Sequence, residues 1–412
     1  MHSLPLTETV TPAEQAELVE LVRNCAASGT AVYPIGGATA LDYGMPARRS
    51  GTGLNVTGLS RIIDYPAQDM TITVEAGIRM PQLQVALAAQ GQTLPIDVPD
   101  HEAATLGGMI ATDTSGPRRL GQGTLRDYVI GISAVDGRGT PFKAGGRVVK
   151  NVAGYDFCKL LIGSLGTLGV ITQITLKVKP VVKQSIFMVA ELHNAEQADI
   201  LLTELSRSEV PAQAIELLIG PAWRNDPLLG DLPPHAYGHL AVLLEGTTPE
   251  VDWMTKTIAE QWHKHTLSQR TLSPQQSGEL LARITQFPAS GDAEMVLRAS
   301  VRPSRLLSYI ELVRQIDPQA SIQSHAGNGI LHIRFPTFKS QHVSRDLIGQ
   351  LQPVARQDGG SAIVLRSAFA NELTRQATWG HLGDSVMLMQ RVKQQFDPQG
   401  ILNPDRFVFT SS

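Results

Sequence analysis

Two histidines in the run His325-Ala-Gly-Asn-Gly-Ile-Leu-His332 are spaced to do chemistry together. An Asn-Gly pair prefers the centre of a two-residue hairpin. With Asn328-Gly329 in that place, Gly327 faces Ile330, Ala326 faces Leu331 and His325 faces His332. Directly opposed cross-strand residues hold their Cβ atoms about 4.5–5.5 Å apart. Two imidazoles at that distance can share a divalent ion such as zinc. Either one, neutral near pH 7, is also suited to take a proton from a hydroxyl group. A stacked or solvated histidine pair is the plain alternative. Arg119, in Gly116-Pro-Arg-Arg119, and Arg366 are candidates to clamp a carboxylate by a bidentate pair. They equally suit a phosphate and a surface carboxylate, respectively.

A second chemistry is written in small residues. Ala103, Ala104, Gly107, Gly108, Ala111, Ser115 and Gly116 crowd one loop-rich stretch, and Gly163, Gly166 and Gly169 recur at every third residue. Glycine admits positive φ and lets backbone come close to a ligand or another loop. Gly36-Gly-Ala-Thr39 follows the short apolar strand Ala31–Ile35, and successive N–H groups in such a turn can point at one anion. It is not the Gly-x-Gly-x-x-Gly dinucleotide fingerprint, nor a P-loop with its Gly-Lys-Ser/Thr. Together these turns predict a wall around a large flat or phosphorylated ligand.

The elements that must position these groups fall into two styles. Up to Pro180, short strands, a helix over Pro81–Ala89, a Tyr128–Val135/Thr140–Lys143 hairpin turning at Asp136-Gly137 and the alternating strand Val170–Val178 frame the small-residue loops. A first helix is expected from a Thr11 cap with Pro12 at its first position. After Pro180, strands alternate with helices: Gln184–Leu192, Ala195–Arg207, Ala214–Leu218, His239–Glu245, a helix from Pro249 to about 266, Glu294–Val301, Pro303–Gln315, Ala320–Ser324 and Ile330–Phe335. That alternation predicts a separate α+β domain. Segment 266–292, rich in Ser, Gln and Pro, reads as a flexible connector. A closing helix, Asp384–Phe396, carries Val386, Leu388, Met389, Val392 and Phe396 on its apolar side.

Composition excludes several functions. The 35 basic and 38 acidic residues are interspersed, so nothing favours nucleic acid or an anionic membrane surface. Two cysteines, Cys25 and Cys158, form no disulfide framework and too few thiolates for an iron–sulfur cluster. No secretory signal and no apolar run of about 20 residues is visible, which predicts a cytoplasmic protein without a membrane span.

The turns at Gly36–Thr39 and Ala104–Gly108, together with Arg126-Asp-Tyr128 and Gly163-Ser-Leu-Gly-Thr-Leu-Gly-Val-Ile171, resemble the vanillyl-alcohol-oxidase-type (PCMH-type) FAD-binding domain. Gly116–Arg119, Arg126-Asp127 and the run Gly146 to Asp156 look most like the FAD-binding E subunit of bacterial glycolate oxidase. Phe396-Asp-Pro-Gln-Gly-Ile-Leu-Asn-Pro404 resembles the closing motif of the 2-hydroxyacid dehydrogenase branch. The resemblance covers residues 30–180 and roughly the last twenty. It implies an α+β protein: a two-subdomain PCMH-type FAD-binding domain at 1–180, an α+β cap at 181–383 and a segment at 384–412 returning to the FAD domain. By resemblance, Gly36, Gly37, Ala38 and Thr39 would hold the pyrophosphate. Thr105, Gly107, Gly108, Ala111, Ser115 and Gly116 would line the flavin and its chain, with Gly169, Val170 and Ile171 beside the adenosine half and Asn403 near the cofactor. His101 is the only histidine or cysteine between Pro95 and Pro117, and a loop-capping role for it implies non-covalent FAD.

The histidine spacing also matches the metal-binding pair of the 2-hydroxyacid dehydrogenase branch. There a Glu-His dipeptide farther along completes the site. This chain has none between Gly359 and Gly380, and Arg366 stands near the expected acid, so no metal is expected; only Glu372 or His381 could substitute. Two functions stay open. The chain oxidises glycolate, D-lactate or another small 2-hydroxy acid, with His325 or His332 as base, beside a second flavoprotein subunit and an iron–sulfur subunit through which it would meet a membrane. Alternatively, it is an FAD-bound electron-relay or architectural subunit without turnover of its own.

Overall fold

The computed structural model describes residues 4–146, 156–233, 235–265, 268–357 and 359–407. It divides into two units. The first comprises Met1–Ser115, Thr124–Val181 and Leu382–Ser412, and the second Gly116–Gly123 and Val182–His381. The chain thus leaves the first unit at Gly116 and returns at Thr124, an excursion that a single division after residue 180 did not anticipate. Most of the Gly146–Asp156 motif lies outside the described residues.

The first unit holds two sheets. Strands β1 (Leu6–Val10), β2 (Ala31–Ile35) and β3 (Gly51–Asn55) pair in parallel in the order β1-β3-β2. An antiparallel sheet runs β4-β5-β9-β7-β8, formed by β4 (Ile62–Asp64), β5 (Thr71–Glu75), β7 (Val129–Val135), β8 (Pro141–Gly145) and β9 (Val170–Lys177). The two-residue strands β6 (Gln92–Thr93) and β10 (Lys179–Pro180) pair separately. In β9, Ile174 and Leu176 enter one apolar core, while Val170, beyond the register shift opposite Ser133 and Ala134, joins Val32, Leu54 and Leu402 in a second. The first helix, Gln15–Ser28, begins later than Thr11 would dictate. Ala13 N–H donates to Glu17 Oε2 at 2.8 Å, so the glutamate serves the amino end in place of a threonine cap. The β7–β8 turn is likewise longer than Asp136-Gly137. Asp136 Oδ1 accepts from both Arg138 and Thr140 N–H, stabilising a loop that runs to Pro141. In the closing helix, Ser385–Phe396, Val392 and Phe396 pack inward but Leu388 is exposed.

The second unit is an eight-stranded antiparallel sheet. Its strands are β11 (Gln184–Leu192), β12 (Ala214–Ile219), β13 (Gly238–Gly246), β14 (Gln269–Thr271), β15 (Met295–Ser300), β16 (Ser321–His325), β17 (Ile330–Phe335) and β18 (Ser361–Ser367), in the order β14-β11-β13-β12-β16-β17-β15-β18. One face is apolar throughout: Met188, Leu217, Leu240, Ile322, Ile333 and Leu297 pack under helices that include Thr248–His263 and Leu306–Ile316. The other face changes character across the sheet. Over β11 and β13 it is apolar, with Phe187, Val189, Ala241 and Leu243 under helix Pro274–Gln286. Over β12, β16, β17 and β15 the same face carries Glu216, Gln323, His325, His332 and Arg298. The period-2 pattern that buries one set therefore gathers the other.

Segment 266–292 is not a loose connector. It contains edge strand β14 and a helix opened by a capping box, in which Ser273 Oγ accepts from Gln276 N and Gln276 reaches back to Ser273 N. Leu280 and Ile284 bury that helix. Its polar composition belongs to the solvent side of an amphipathic helix.

Candidate functional site

In the first unit the small-residue turns pack on one another. A Cβ on Gly37 would lie 1.8 Å from Ala103 O, and one on Gly36 would lie 2.2 Å from Thr105 Oγ1. Ala38 takes φ +59°, and no N–H from Gly36 to Thr39 donates to a backbone acceptor among the described residues. That is a concavity of free donors, the arrangement that holds an anionic oxygen. Thr105 caps helix Leu106–Thr112 through Gly108 N–H, and Gly107 meets the Ala76 carbonyl so closely that its N–H donates to it at 2.7 Å. Ser115 Oγ accepts from Leu125 N–H at 3.4 Å.

The Gly163–Gly169 loop wraps the end of that helix: Gly163 and Leu165 N–H donate to the carbonyls of Ile110 and Ala111. Leu165 O accepts from Asn403 Nδ2 at 2.6 Å, and Asn403 itself takes φ +41°. Two buried oxygens here, Ser164 Oγ and Asn403 Oδ1, have no hydrogen-bond partner. Buried polar atoms are rarely left so. The free N–H groups, the close-packed turns and these two oxygens fit a ligand with phosphates, hydroxyls and ring N–H groups, as FAD has. Val170 and Ile171 send their side chains into the cores and offer a ligand only backbone. Gly116 folds with the second unit.

In the second unit the histidines are close, though not as the two-residue hairpin predicts. Ala326–Asn328 makes a 3-10 turn closed by Gly329 at φ +68°, so His325 pairs with Ile330 and Gln323 with His332. The slip is by two residues, which keeps both imidazoles on one face. Their rings stand 5.4 Å apart, edge to face.

Glu216, Gln323 and His325 are at most 3% exposed and His332 is 9% exposed, so their hydrogen bonds decide their state. Glu216 Oε1 accepts from His325 Nδ1 at 2.7 Å, and its Oε2 accepts from Gln323 Nε2. Gln323 Oε1 in turn accepts from His332 Nδ1 at 2.8 Å. The amide can sit only this way round, because its oxygen would repel the carboxylate. Both histidines therefore carry hydrogen on Nδ1, and His325 Nε2 has no partner. Burial, then the charges of His325, Arg298 and Arg119, hold His332 well below the usual histidine range, so it is neutral at pH 7.

Arg119 reaches this cluster from the excursion Gly116–Gly123, where Arg118 pairs with Glu245 at 3.6 Å and Leu120 packs against Gly327. Arg366 does not join it. Its guanidinium donates to the carbonyls of Ala289, Ser290 and Gly291 and so anchors a loop. Reasoning from sequence missed Glu216, Gln323 and Arg298. A lone carboxylate inside the apolar strand Ala-Ile-Glu-Leu-Leu-Ile is a signal that could have found Glu216, since a buried charge needs a partner. The residues do not fit the metal of the 2-hydroxyacid dehydrogenase branch. Two imidazole nitrogens are available, but both Glu216 oxygens already accept hydrogen bonds, and no cluster of three ligating side chains exists among the described residues.

Residues 7–145 match the model of an FAD binding domain, and residues 378–407 that of the C-terminal domain of FAD linked oxidases. A D-2-hydroxyglutarate dehydrogenase of Xanthomonas citri pv. viticola is 28% identical, over 97% of this chain and 88% of its own length. Glycolate oxidase subunit GlcE of Escherichia coli is 40% identical, over 35% of this chain and 41% of its own. The structure of p-cresol methylhydroxylase with substrate bound superposes with a TM-score of 0.74 at 15% identity, covering 100% of this chain and 92% of that one, so the two share a fold. The matched FAD domains, the full-length likeness to a dehydrogenase and a cradle that fits the cofactor agree: the chain belongs to the vanillyl-alcohol-oxidase-type, PCMH-type family of FAD-linked oxidoreductases, and FAD is its cofactor.

Proposed function

We propose that the chain is the FAD-binding subunit of a glycolate oxidase-type complex and oxidises a small 2-hydroxy acid, glycolate or D-lactate, to the 2-oxo acid. The observation that carries this is the buried Glu216–His325 pair with its Nε2 left unpartnered. When bound, FAD supplies the acceptor for the hydride leaving the substrate α-carbon. His325 Nε2 takes the hydroxyl proton as the carbonyl forms, and Glu216, bonded to Nδ1, stabilises the resulting imidazolium. Neutral His332 adds a second lone pair beside it without opposing that charge.

In the cradle, Gly36 to Thr39 hold the pyrophosphate, Thr105, Gly107, Gly108, Ala111 and Ser115 line the flavin chain, and Asn403 and the backbone at Gly169–Ile171 lie beside the cofactor. FAD is held without a covalent bond. His101, the one candidate for attachment in its loop, is 38% exposed and sits beside Glu102. With two buried cysteines the chain cannot hold a cluster, so electrons leave to other subunits. The likeness to GlcE, itself named as a subunit, supports partner subunits, which we take to be a second flavoprotein and an iron–sulfur protein. No helix among the described residues is long and apolar enough to cross a membrane, and any membrane contact is made through those partners.

The test is anaerobic mixing of the FAD-loaded chain with glycolate or D-lactate while following oxidised-flavin absorbance. Bleaching on a catalytic timescale is expected. A flavin that stays oxidised with every acid makes the chain an electron-relay or architectural subunit, the role to which the stronger local identity with GlcE also lends support.

A further inference from the structure

The excursion Gly116–Gly123 has little of its own to hold it in place. Its helix, Arg119–Gln122, has four residues and no side-chain cap, and so short a helix is not stable alone. The second unit supplies a seat for it. Gly121 N–H donates to Gln213 O at 3.1 Å, just ahead of β12. Leu120 lies on the turn between the two histidines, so close that a Cβ on Gly327 would be 2.8 Å from its Cδ2. A further contact is with Glu245 on β13, whose side chain is 3% exposed. Its Oε2 accepts from Gln122 Nε2 at 3.2 Å, Oε1 accepts from Ser185 Oγ at 3.2 Å, and Arg118 Nη1 lies 3.6 Å from Oε1. Gln122 N–H donates to Arg118 O, so these two residues stand one helical turn apart and a single carboxylate holds the same side of the turn at both ends.

We propose that Glu245 is a positioning residue for the histidine pair: it seats the excursion on the sheet, and the excursion braces the turn between His325 and His332 and brings Arg119 to it. This deepens the reading of the pair as the site of proton abstraction and rests on it for the effect on rate. Glu245 does not act by contact. Through Glu216, the residue of β13 level with His325 is Ala241, and Glu245 lies four residues farther along, about 13 Å. Only the excursion spans that distance, with Arg118 and Gln122 at Glu245, Leu120 at Gly327, and the charge of Arg119 falling on His332. A buried ion pair seldom adds net stability, and its best-attested use is to fix one arrangement among several. An eight-residue segment that opens and closes on glycine has several to choose from. Misplacing a reacting group by about 1 Å can cost on the order of 10²-fold in rate, so a remote brace of this kind is felt in the chemistry.

The test uses the full FAD-loaded chain and two readouts. Trypsin cuts after Arg118 and Arg119, so cleavage there, followed by mass spectrometry, reports release of the excursion. Single-turnover flavin reduction at saturating glycolate or D-lactate reports the histidines. Glu245→Leu is expected to raise cleavage and to slow the limiting rate by about 10–100-fold. Glu245→Gln keeps an acceptor for Gln122 but not the charge for Arg118, and should fall between Glu245→Leu and the wild type in both. Leu120→Ala loosens the same piece from its other side, so adding it to Glu245→Leu should slow reduction no further. Effects that multiply, a slowed rate without cleavage, or cleavage at an unchanged rate overturn the proposal. Thermal unfolding of each protein separates a lost seat from a lost fold, and Glu245→Gln carries the test where the leucine variant does not fold. If flavin in the wild-type chain never bleaches, the oxidase reading fails and cleavage alone decides. An excursion still protected in Glu245→Leu then overturns the seat, and a released one upholds it.

Discussion

Each unit buries a charged cluster, and the two are finished differently. In the first unit Lys393 is 1% exposed, and its ammonium donates to Asp397 Oδ2 at 2.6 Å, Thr167 O at 2.7 Å and Leu402 O at 2.9 Å. Asp397 accepts in addition from Ile401 and Leu402 N–H. Three donors meet three acceptors, and nothing is left over. In the second unit Glu216, Gln323, His325 and His332 are comparably buried, but their chain of hydrogen bonds stops at Nε2 of His325 and beside an unpaired Arg298. A closed network is fastening. It ties the closing helix and the Ile401–Asn403 segment to the Gly163–Gly169 loop, so the family's C-terminal motif positions Asn403. An open network stores donors and acceptors for something that arrives.

Breaking the closed network should have the largest effect. Lys393→Met leaves Asp397 buried with its charge uncompensated, and loss of one partner of a buried pair costs about 3–5 kcal/mol. Burial pushes the Lys393 pKa down, and the charge and hydrogen bond of Asp397, with the charge of Asp405, oppose that. We expect a matching fall in stability by chemical denaturation. Lys393→Met/Asp397→Asn, which removes both charges, should recover much of it. Equal damage in the single and double variants would mean that packing rather than pairing holds this end.

The open network should respond in rate more than in stability. His325→Gln removes the proposed base and should slow flavin reduction by about 10²–10³-fold, the scale of general-base catalysis. The glutamine amide can still donate to Glu216 in place of Nδ1, so the loss of stability should stay smaller than for Lys393→Met. Glu216→Gln should slow reduction less. It can still accept from Nδ1 but no longer balances a charged imidazolium. Single-turnover flavin reduction and unfolding midpoints, compared across both variants, decide the matter. A His325 variant that loses several kcal/mol of stability at unchanged rate would make this cluster fastening as well.

Legibility in the sequence followed the range of the interactions. The cradle was readable because its parts are local: Gly36 to Thr39, Ala104 to Gly108 and Gly163 to Ile171 are short runs whose small residues answer to nearby backbone. The histidine pair was half readable. Asn328-Gly329 marks a turn, but not whether two or four residues make it, and the longer turn moved His332 opposite Gln323. Parity survived and the exact pairing did not. Glu216 lies 109 residues before His325, and Arg298 reaches His332 only because β15 inserts beside β17. Strand order of that kind is set by the whole sheet, and no local periodicity records it. Segment 266–292 failed for the opposite reason, since its Ser273-Pro-Gln-Gln276 cap was local and its polar composition masked it.

His239 offers the smallest and sharpest test of the contrast. It is fully buried on β13, and neither ring nitrogen makes a hydrogen bond of normal geometry. By openness alone it would count as functional. What surrounds it is the apolar side of the same face, with Trp223, Leu229 and Leu218 nearby in the core. Burial first, then Arg270, lower its pKa to about 4, against the smaller opposing pull of Asp226 and the Leu229 backbone. The folded protein therefore keeps this ring neutral while the unfolded chain protonates it near pH 6.5. Its contribution to stability is complete above about pH 6.5, declines as pH falls towards about 4, and declines no further below that. The loss is on the order of 1–3 kcal/mol. His239→Leu should flatten that part of the stability–pH curve while leaving flavin reduction unchanged, because an orphaned nitrogen away from the Glu216–His325 cluster only makes the fold sensitive to acid. A His239 variant that instead slowed reduction would show that openness of a buried network is a sufficient mark of function, wherever on the sheet it lies.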